Sequence, residues 1–308
     1  MVTMEQVETT VAEKVWVRLS ADDKDAVAAA RRHWKANFPA ATEELSEDDL
    51  YYYLPVTLTL RLGDEFHAET VIFALGDGPL ITLEPARKLA PLDRFAQRLA
   101  SSPDIAKSGK DAMRAILRAM NLASDQVVEA VSISLESMND DILRLTGGRD
   151  EKGREIGVSD VYETMQRLNE VEELIARVQE SQLDLARCAR YLKTEVGTRD
   201  TESRAEIENL QADIQGVKEH ATFEHEKARY LQQSVMTSLG VKQNQIVKVF
   251  TIITAVFLPP TLVATFYGMN FAVMPELSWR WGFTVTIAMT LAAALLPLIY
   301  IRRKGWLR

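Results

Sequence analysis

Two apolar stretches near the end of this 308-residue chain constrain its fold more than any other feature. Residues 246–267 read IVKVFTIITAVFLPPTLVATFY and carry one charge, Lys248; residues 281–301 read WGFTVTIAMTLAAALLPLIYI and carry none. Each is close to the ~20 apolar residues that a helix needs to cross a bilayer. In hydrocarbon every backbone N–H and C=O must be paired within its own segment, and a helix does this. A buried core helix would also be apolar. Two adjacent segments of this length, ended by aromatic and basic residues, instead predict a pair of membrane spans. Residues 268–280 are too few for a domain, so the spans form an antiparallel hairpin. Lys242, Lys248 and the run Arg302-Arg303-Lys304 lie at its ends, whereas the loop holds only Arg280. This excess of positive charge places both termini on the cytoplasmic side. Trp279, Trp281 and Trp306 fall where interfacial aromatics are expected.

The first span carries a polar stripe. Asn244, Val247, Thr251, Thr254, Leu258, Thr261 and Thr265 follow at alternating steps of three and four, which puts them on one helical face. Such a face suits water, or hydrogen bonding between helices, and the residues alone leave both open. Pro259-Pro260 lies inside the span and predicts a bend or local loosening. Two helices cannot enclose an aqueous path, so a conducting protein would need several chains around a shared axis. Symmetry would then turn each polar position into a ring, with Asn270 forming amide oxygens at the mouth. Neutral oxygens suit a hard cation that keeps its water shell, as Mg2+ does.

Tyr267-Gly268-Met269-Asn270-Phe271, followed by Met274-Pro275-Glu276-Leu277, resembles the signature loop of the CorA magnesium channels. FLPPTLVA at residues 257–264 and the ending Lys304-Gly305-Trp306-Leu307 are similar to that family as well. The resemblance is specific over residues 243–307; upstream it extends only to length and order of elements. It implies a homopentamer in the bacterial inner membrane, passing Mg2+ and, less well, Co2+ or Ni2+. It implies a pore lined by the first span, with Gly268, Met269 and Asn270 as selectivity filter. Asn244, Val247, Phe250, Leu258 and Thr261 would match pore-facing positions, the apolar ones forming the gate. Thr251, Thr254 and Thr265 join the pore lining on periodicity alone. Many members have an acidic residue just after GMNF, where this chain has Ala272, so attraction at the outer mouth would rest on Glu276. A relative handling Zn2+ is the alternative within the family, although the loop lacks the His or Cys that soft metals favour. A membrane-anchored signalling protein is the alternative outside it.

The remaining composition is consistent with this reading. The chain has 36 Lys+Arg against 44 Asp+Glu, a formal net charge of −8, which argues against a nucleic-acid partner. Its single cysteine, Cys188, excludes an intrachain disulfide and fits a reducing compartment. Residues 1–10 show no basic start or apolar run, so the first span is expected to target the chain. Strands are expected at Lys14–Ser20, Leu54–Leu62, Ala68–Leu75 and Leu80–Leu83, a helix at Ala21–Ala36, and a turn or short helix at Ser46–Leu50. These make a small α/β domain over residues 1–90, with helices covering part of its sheet. Residues 91–241 read as a helical bundle and stalk, with helices at Leu92–Ser101, Lys110–Thr146, Ser159–Glu195 and Glu202–Val241. Residues 242–308 form the hairpin, and the stalk is expected to run unbroken into the first span. The expected fold is an α/β cytosolic domain, then a long-helix stalk and two C-terminal transmembrane helices, mainly α overall. His220, Glu224, His225 and Glu226 are expected on a solvated charged face. Asp213 resembles an aspartate that in some family members helps to bind a regulatory divalent ion. No P-loop, Rossmann glycine pattern, HExxH motif or nucleophile elbow is present, and the chain reads as no enzyme.

Overall fold

The computed structural model describes residues 15–39, 45–62, 65–147, 158–198, 200–269, 274 and 278–305. A five-stranded mixed sheet forms its first part, in the order β1-β5-β4-β3-β2. The strands are β1 (Trp16–Ser20), β2 (Ser46–Glu47), β3 (Tyr52–Leu62), β4 (Glu65–Leu75) and β5 (Leu80–Glu84). β1 runs parallel to β5, with Trp16 opposite Leu80; all other pairings are antiparallel. Alternation along the strands serves two cores. Leu54, Val56, Leu58, Val71 and Phe73 face one, packed by the long helices. Tyr53, Ile72, Ala74 and Ile81 face the other, covered by helix α1 (Lys24–His33).

Ser46–Leu50 holds the expected turn in its second half, but its first two residues form a strand. Ser46 and Glu47 pair with Tyr53 and Tyr52. The cause is Asp48, whose carboxylate accepts from the Leu50 and Tyr51 amides at 2.9 and 2.8 Å and from the Tyr53 hydroxyl at 2.7 Å. These bonds close a tight turn that sends the chain back along β3. Burial works against this carboxylate, but the bonds outweigh it and hold its pKa below the usual range.

Beyond β2 the far edge of β3 is open, and a helix satisfies it. The Thr57 amide donates to Asp184 at 3.2 Å, and Ser181 Oγ donates to the Thr57 carbonyl at 2.6 Å. Pro55 lies two residues away on the same edge, where a missing N–H costs no ladder bond. Asp184 and Ser181 belong to α4 (Val158–Glu195), and burial lifts the Asp184 carboxyl above the usual carboxylate range despite the Thr57 bond and nearby Arg187.

The other helices are α2 (Ala90–Ser101), α3 (Gly109–Gly147), α5 (Thr201–Tyr267) and α6 (Gly282–Arg303), with a 3-10 turn at Pro103–Ile105. Residues three and four apart place one face of each in the core shared with the sheet: Met113, Ile116, Leu117 and Met120 from α3, Leu185, Cys188, Ala189 and Leu192 from α4, Ile207, Leu210 and Ile214 from α5. α4 and α5 are antiparallel: Gln179 bonds Thr222 at 3.3 Å, and Gln232 bonds Glu172 at 2.7 Å. α3 begins hard against β5, for a Cβ on Gly109 would lie 2.5 Å from the Leu80 amide nitrogen. As expected, the stalk runs unbroken into the first apolar stretch: α5 continues through Gly240 and through Pro259-Pro260. The chain divides into two compact units, Met1–Ser234 and Val235–Arg308.

One charged network ties β1, β5 and α2 together. Arg18 forks onto Glu84 through bonds of 2.8 and 2.6 Å, reaches Asp93 at 2.8 Å, and lies 5.2 Å over the Trp16 ring. Trp16 in turn donates to Thr82, which donates to Glu84, each at 3.0 Å. Glu84 is 8% exposed, so removing Arg18 strands a buried carboxylate. Arg18→Ala is expected to cost about 2–3 kcal/mol, at the low end for such a loss because the guanidinium is partly solvated. Chemical denaturation of the first unit's sheet, followed by Trp16 fluorescence, measures it; a loss under about 0.5 kcal/mol, the range of ordinary surface changes, would show that the network is ornamental.

Candidate functional site

The second unit holds the two apolar helical segments. The most apolar window of α5 has none of its residues buried, and that of α6 only 6%. Phe250, Phe257, Leu262, Phe283 and Leu296 are all more than half exposed. Surfaces this apolar and this bare fit a lipid or a partner chain rather than water.

The stripe on α5 occupies about 100° of helix surface, at about 100° per residue. Asn244, Val247, Thr251, Thr254, Leu258, Thr261 and Thr265 are all exposed, as is Phe250 at its margin. The half-covered residues Ile252, Val256, Pro259, Pro260 and Val263 fall away from the stripe, and half-covered Ala255 lies at its other margin. Lys248 is half-buried and off the stripe. In α6 the covered positions are Gly282, Thr286, Thr290, Ala293, Ala294, Pro297 and Ile301, a row of mainly small residues of the kind along which membrane helices pack.

The threonine hydroxyls are already committed as donors. Thr251 bonds the Val247 carbonyl at 2.8 Å, Thr254 that of Phe250 at 2.9 Å, Thr261 that of Phe257 at 2.7 Å and Thr265 that of Thr261 at 2.7 Å. Each hydroxyl therefore offers only acceptor lone pairs outward. The water shell of a cation points its hydrogens outward, so a row of acceptors complements it. The sequence showed the spacing, but not that the donors turn back onto the helix.

Helix α5 ends at Tyr267. The Gly268 amide bonds the Ala264 carbonyl at 3.0 Å, and Met269 bonds Phe266 at 3.4 Å, which turns the chain as it leaves the helix. A Cβ on Gly268 would press to 3.1 Å from the Ala264 oxygen. Gly268 and Met269 are exposed at this end. Asn270, Ala272 and Glu276 lie outside the described residues, as does Trp306.

Asp213 lies in the first unit, exposed on α5. It lines a groove of about 1170 Å3 shared with α2 and α3. Two other carboxylates line it: Glu206 is paired with Arg114, and Asp125 stands 3.9 Å from His220. Among the described residues no three His, Cys, Asp or Glu side chains converge to hold a metal. Arginines dominate the groove, which sequence reading passed over; their signal was two i,i+4 pairs, Arg94 with Arg98 and Arg114 with Arg118.

The residues around His220 depart from the expected solvated face. Glu224 is only 2% exposed, with Lys227 at 3.4 Å and His220 at 3.8 Å. It belongs to the inward row Ile214, Val217, Ala221, Glu224, Ala228 and Leu231, whose steps of three and four were present in the sequence. The charges distract from that row, and the apolar neighbours decide which way the helix faces.

An α/β unit, long packed helices and two bare apolar helices, one with an acceptor-lined face, define a membrane protein of the two-span transporter class. The profile of the CorA-like Mg2+ transporter proteins matches residues 14–303, and the chain belongs to that family. It is 32% identical over 240 residues to the magnesium transport protein CorA of Haemophilus influenzae, covering 77% of this chain and 72% of that one. The corresponding protein of Wolinella succinogenes is 29% identical over 257 residues, 83% of this chain and 75% of its own. The fold is similar to the solved CorA magnesium transporter of Methanocaldococcus jannaschii, with a TM-score of 0.75 at 17% identity over 94% and 90% of the two chains.

The orientation of the stripe is testable by labelling. Cys188 is 1% exposed and burial pushes its thiol pKa up, so it should stay silent to a hydrophilic maleimide. In the full chain in liposomes, Thr254→Cys and Thr261→Cys should label, whereas Val256→Cys and Val263→Cys should not. Equal labelling of both pairs would remove the stripe as a water-facing surface.

Proposed function

We propose that this chain is one subunit of an oligomeric channel that admits hydrated Mg2+ to the cell, with no chemical step. The observation that carries this reading is the exposed stripe on α5, whose hydroxyl donors are all turned inward. One stripe forms no conduit, so several copies must surround an axis. Family membership supports a homopentamer in the bacterial inner membrane with both termini cytoplasmic. The membrane potential then drives influx, by about 2.3 kcal/mol per elementary charge per 100 mV and about twice that for Mg2+. Co2+ and Ni2+, hydrated divalent ions of like charge, would follow less well.

Gly268, Met269 and Asn270 form the selectivity filter of this reading, with a ring of Asn270 oxygens receiving the ion's waters and Glu276 drawing cations to the outer mouth. Asn244, Thr251, Thr254, Thr261 and Thr265 line the path. Val247, Phe250 and Leu258 narrow it with apolar rings that resist wetting when closed. In liposomes loaded with a Mg2+ indicator, Asn270→Ala should lower Mg2+ uptake at least about tenfold with the oligomer intact, while Leu258→Asn should raise resting flux. Wild-type uptake by the first variant and wild-type leak by the second would reject the pore assignment.

Closure by cytosolic Mg2+ completes the proposal. Asp213 shares its groove with Glu206, which is paired with Arg114, and Asp125, which stands near His220, and among the described residues no three such groups converge, so a divalent ion at Asp213 needs carboxylates from a second subunit. An ion so shared would favour the closed ring, and its loss would release the subunits. Asp213→Ala should then shift to higher Mg2+ both inhibition of flux and protection from protease. Identical titrations for wild type and variant would make Asp213 an ordinary surface acid.

A further inference from the structure

The groove between α2, α3 and α5 has a chemistry that cation transport does not use. Four guanidiniums line it: Arg94 and Arg98 from α2, Arg114 and Arg118 from α3. Arg114 is paired with Asp111 and Glu206. Arg94, Arg98 and Arg118 have no carboxylate partner among the described residues, in a chain whose formal net charge is −8. Unpaired arginines gathered on one concavity of an acidic protein create a local positive potential. Their planar forks bind phosphate oxygens two at a time.

The floor of the groove adds a second feature. Asn121 on α3 lines it and is 6% exposed, yet its side-chain oxygen has no hydrogen-bond partner. A buried amide left unsatisfied is costly, and a ligand with its own polar edge supplies what is missing. Around it the wall is apolar: Phe95, Leu122 and Val217 line the same groove, and Leu122 is 54% exposed. The volume of about 1170 Å3, open on one side, is ample for a ligand with both a flat ring and a phosphate chain. Inorganic phosphate would use the arginines but neither the apolar wall nor the amide.

We propose that this groove binds a nucleoside polyphosphate, with the phosphates on Arg94, Arg98 and Arg118 and the base against Leu122, its edge bonded to Asn121. Helix α5 supplies one wall of the groove through Val217 and Asp213, so an occupant touches the helix that also carries the pore stripe. The phosphate chain sits among guanidiniums beside the Asp213 carboxylate, and a bound anion would alter the charge that a divalent ion meets there.

Equilibrium binding of ATP and ADP to the full chain in detergent tests this, with EDTA present so that chelated metal plays no part. Saturable binding is expected, one site per chain. Arg98→Glu with Arg118→Glu should weaken it at least about tenfold. Asn121→Leu should weaken ATP while leaving tripolyphosphate unchanged. The arginine changes fall on exposed, unpaired side chains, so melting temperature should be unaltered, and Arg98→Lys should keep part of the affinity. Tripolyphosphate binding as tightly as ATP would overturn the nucleoside assignment. Absence of binding at millimolar nucleotide, or binding indifferent to the arginine changes, would overturn the site. So would loss of the oligomer in the arginine variant, because the guanidiniums would then be holding a neighbouring subunit.

Discussion

Backbone hydrogen bonding in a medium without water is the constraint on which the second unit depends. An apolar segment of this length has to close its own hydrogen bonds, and a helix does so for every residue except those facing a proline. Pro259 and Pro260 offer no N–H to the carbonyls of Ala255 and Val256, yet the helix continues. The nearby threonines add donors to neighbouring carbonyls, with Thr254 and Thr261 bonding Phe250 and Phe257. The hydroxyls thereby shield the backbone and leave an outward row of acceptors. These bonds go to carbonyls other than those of Ala255 and Val256, so they shape the outward surface and do not replace the bonds that the prolines remove.

The first unit solves a different problem, the open edges of a small mixed sheet. Asp48 folds a two-residue strand onto β3, and Ser181 and Asp184 meet the remaining edge from a helix. The network around Arg18 holds the other end, where a parallel pair joins β1 to β5. Each device uses a polar or charged side chain to satisfy backbone or charge at a boundary between elements, and leaves the sheet faces to apolar packing.

Charge is distributed unevenly over this acidic chain. The arginines of α2 and α3 converge on one groove, and Asp213 lies within it. Within one subunit a divalent cation at Asp213 meets nearby guanidiniums, which lower its affinity. The regulatory cation proposed at Asp213 would therefore need acids from a second copy. An anion in the same groove would change the field at that site without touching the pore.

Sequence alone determined the elements that local patterning controls. The two apolar stretches announced helices because their length and composition admit no other solution in lipid, and the steps of three and four define the stripe from the sequence alone. Strands β3, β4 and β5 were legible from alternation, and the GMN loop with its flanking spans identified the family. What tertiary structure decided involves partners distant in sequence. Ser46–Glu47 became a strand because Tyr52 and Tyr53 lay beside it. Glu224 turned inward because the apolar row around it outweighed its charge. Arg94 and Arg118 share a groove only because α2 and α3 pack on the same sheet face. Periodicity assigns a residue to a face of its own element; only packing decides what that face meets.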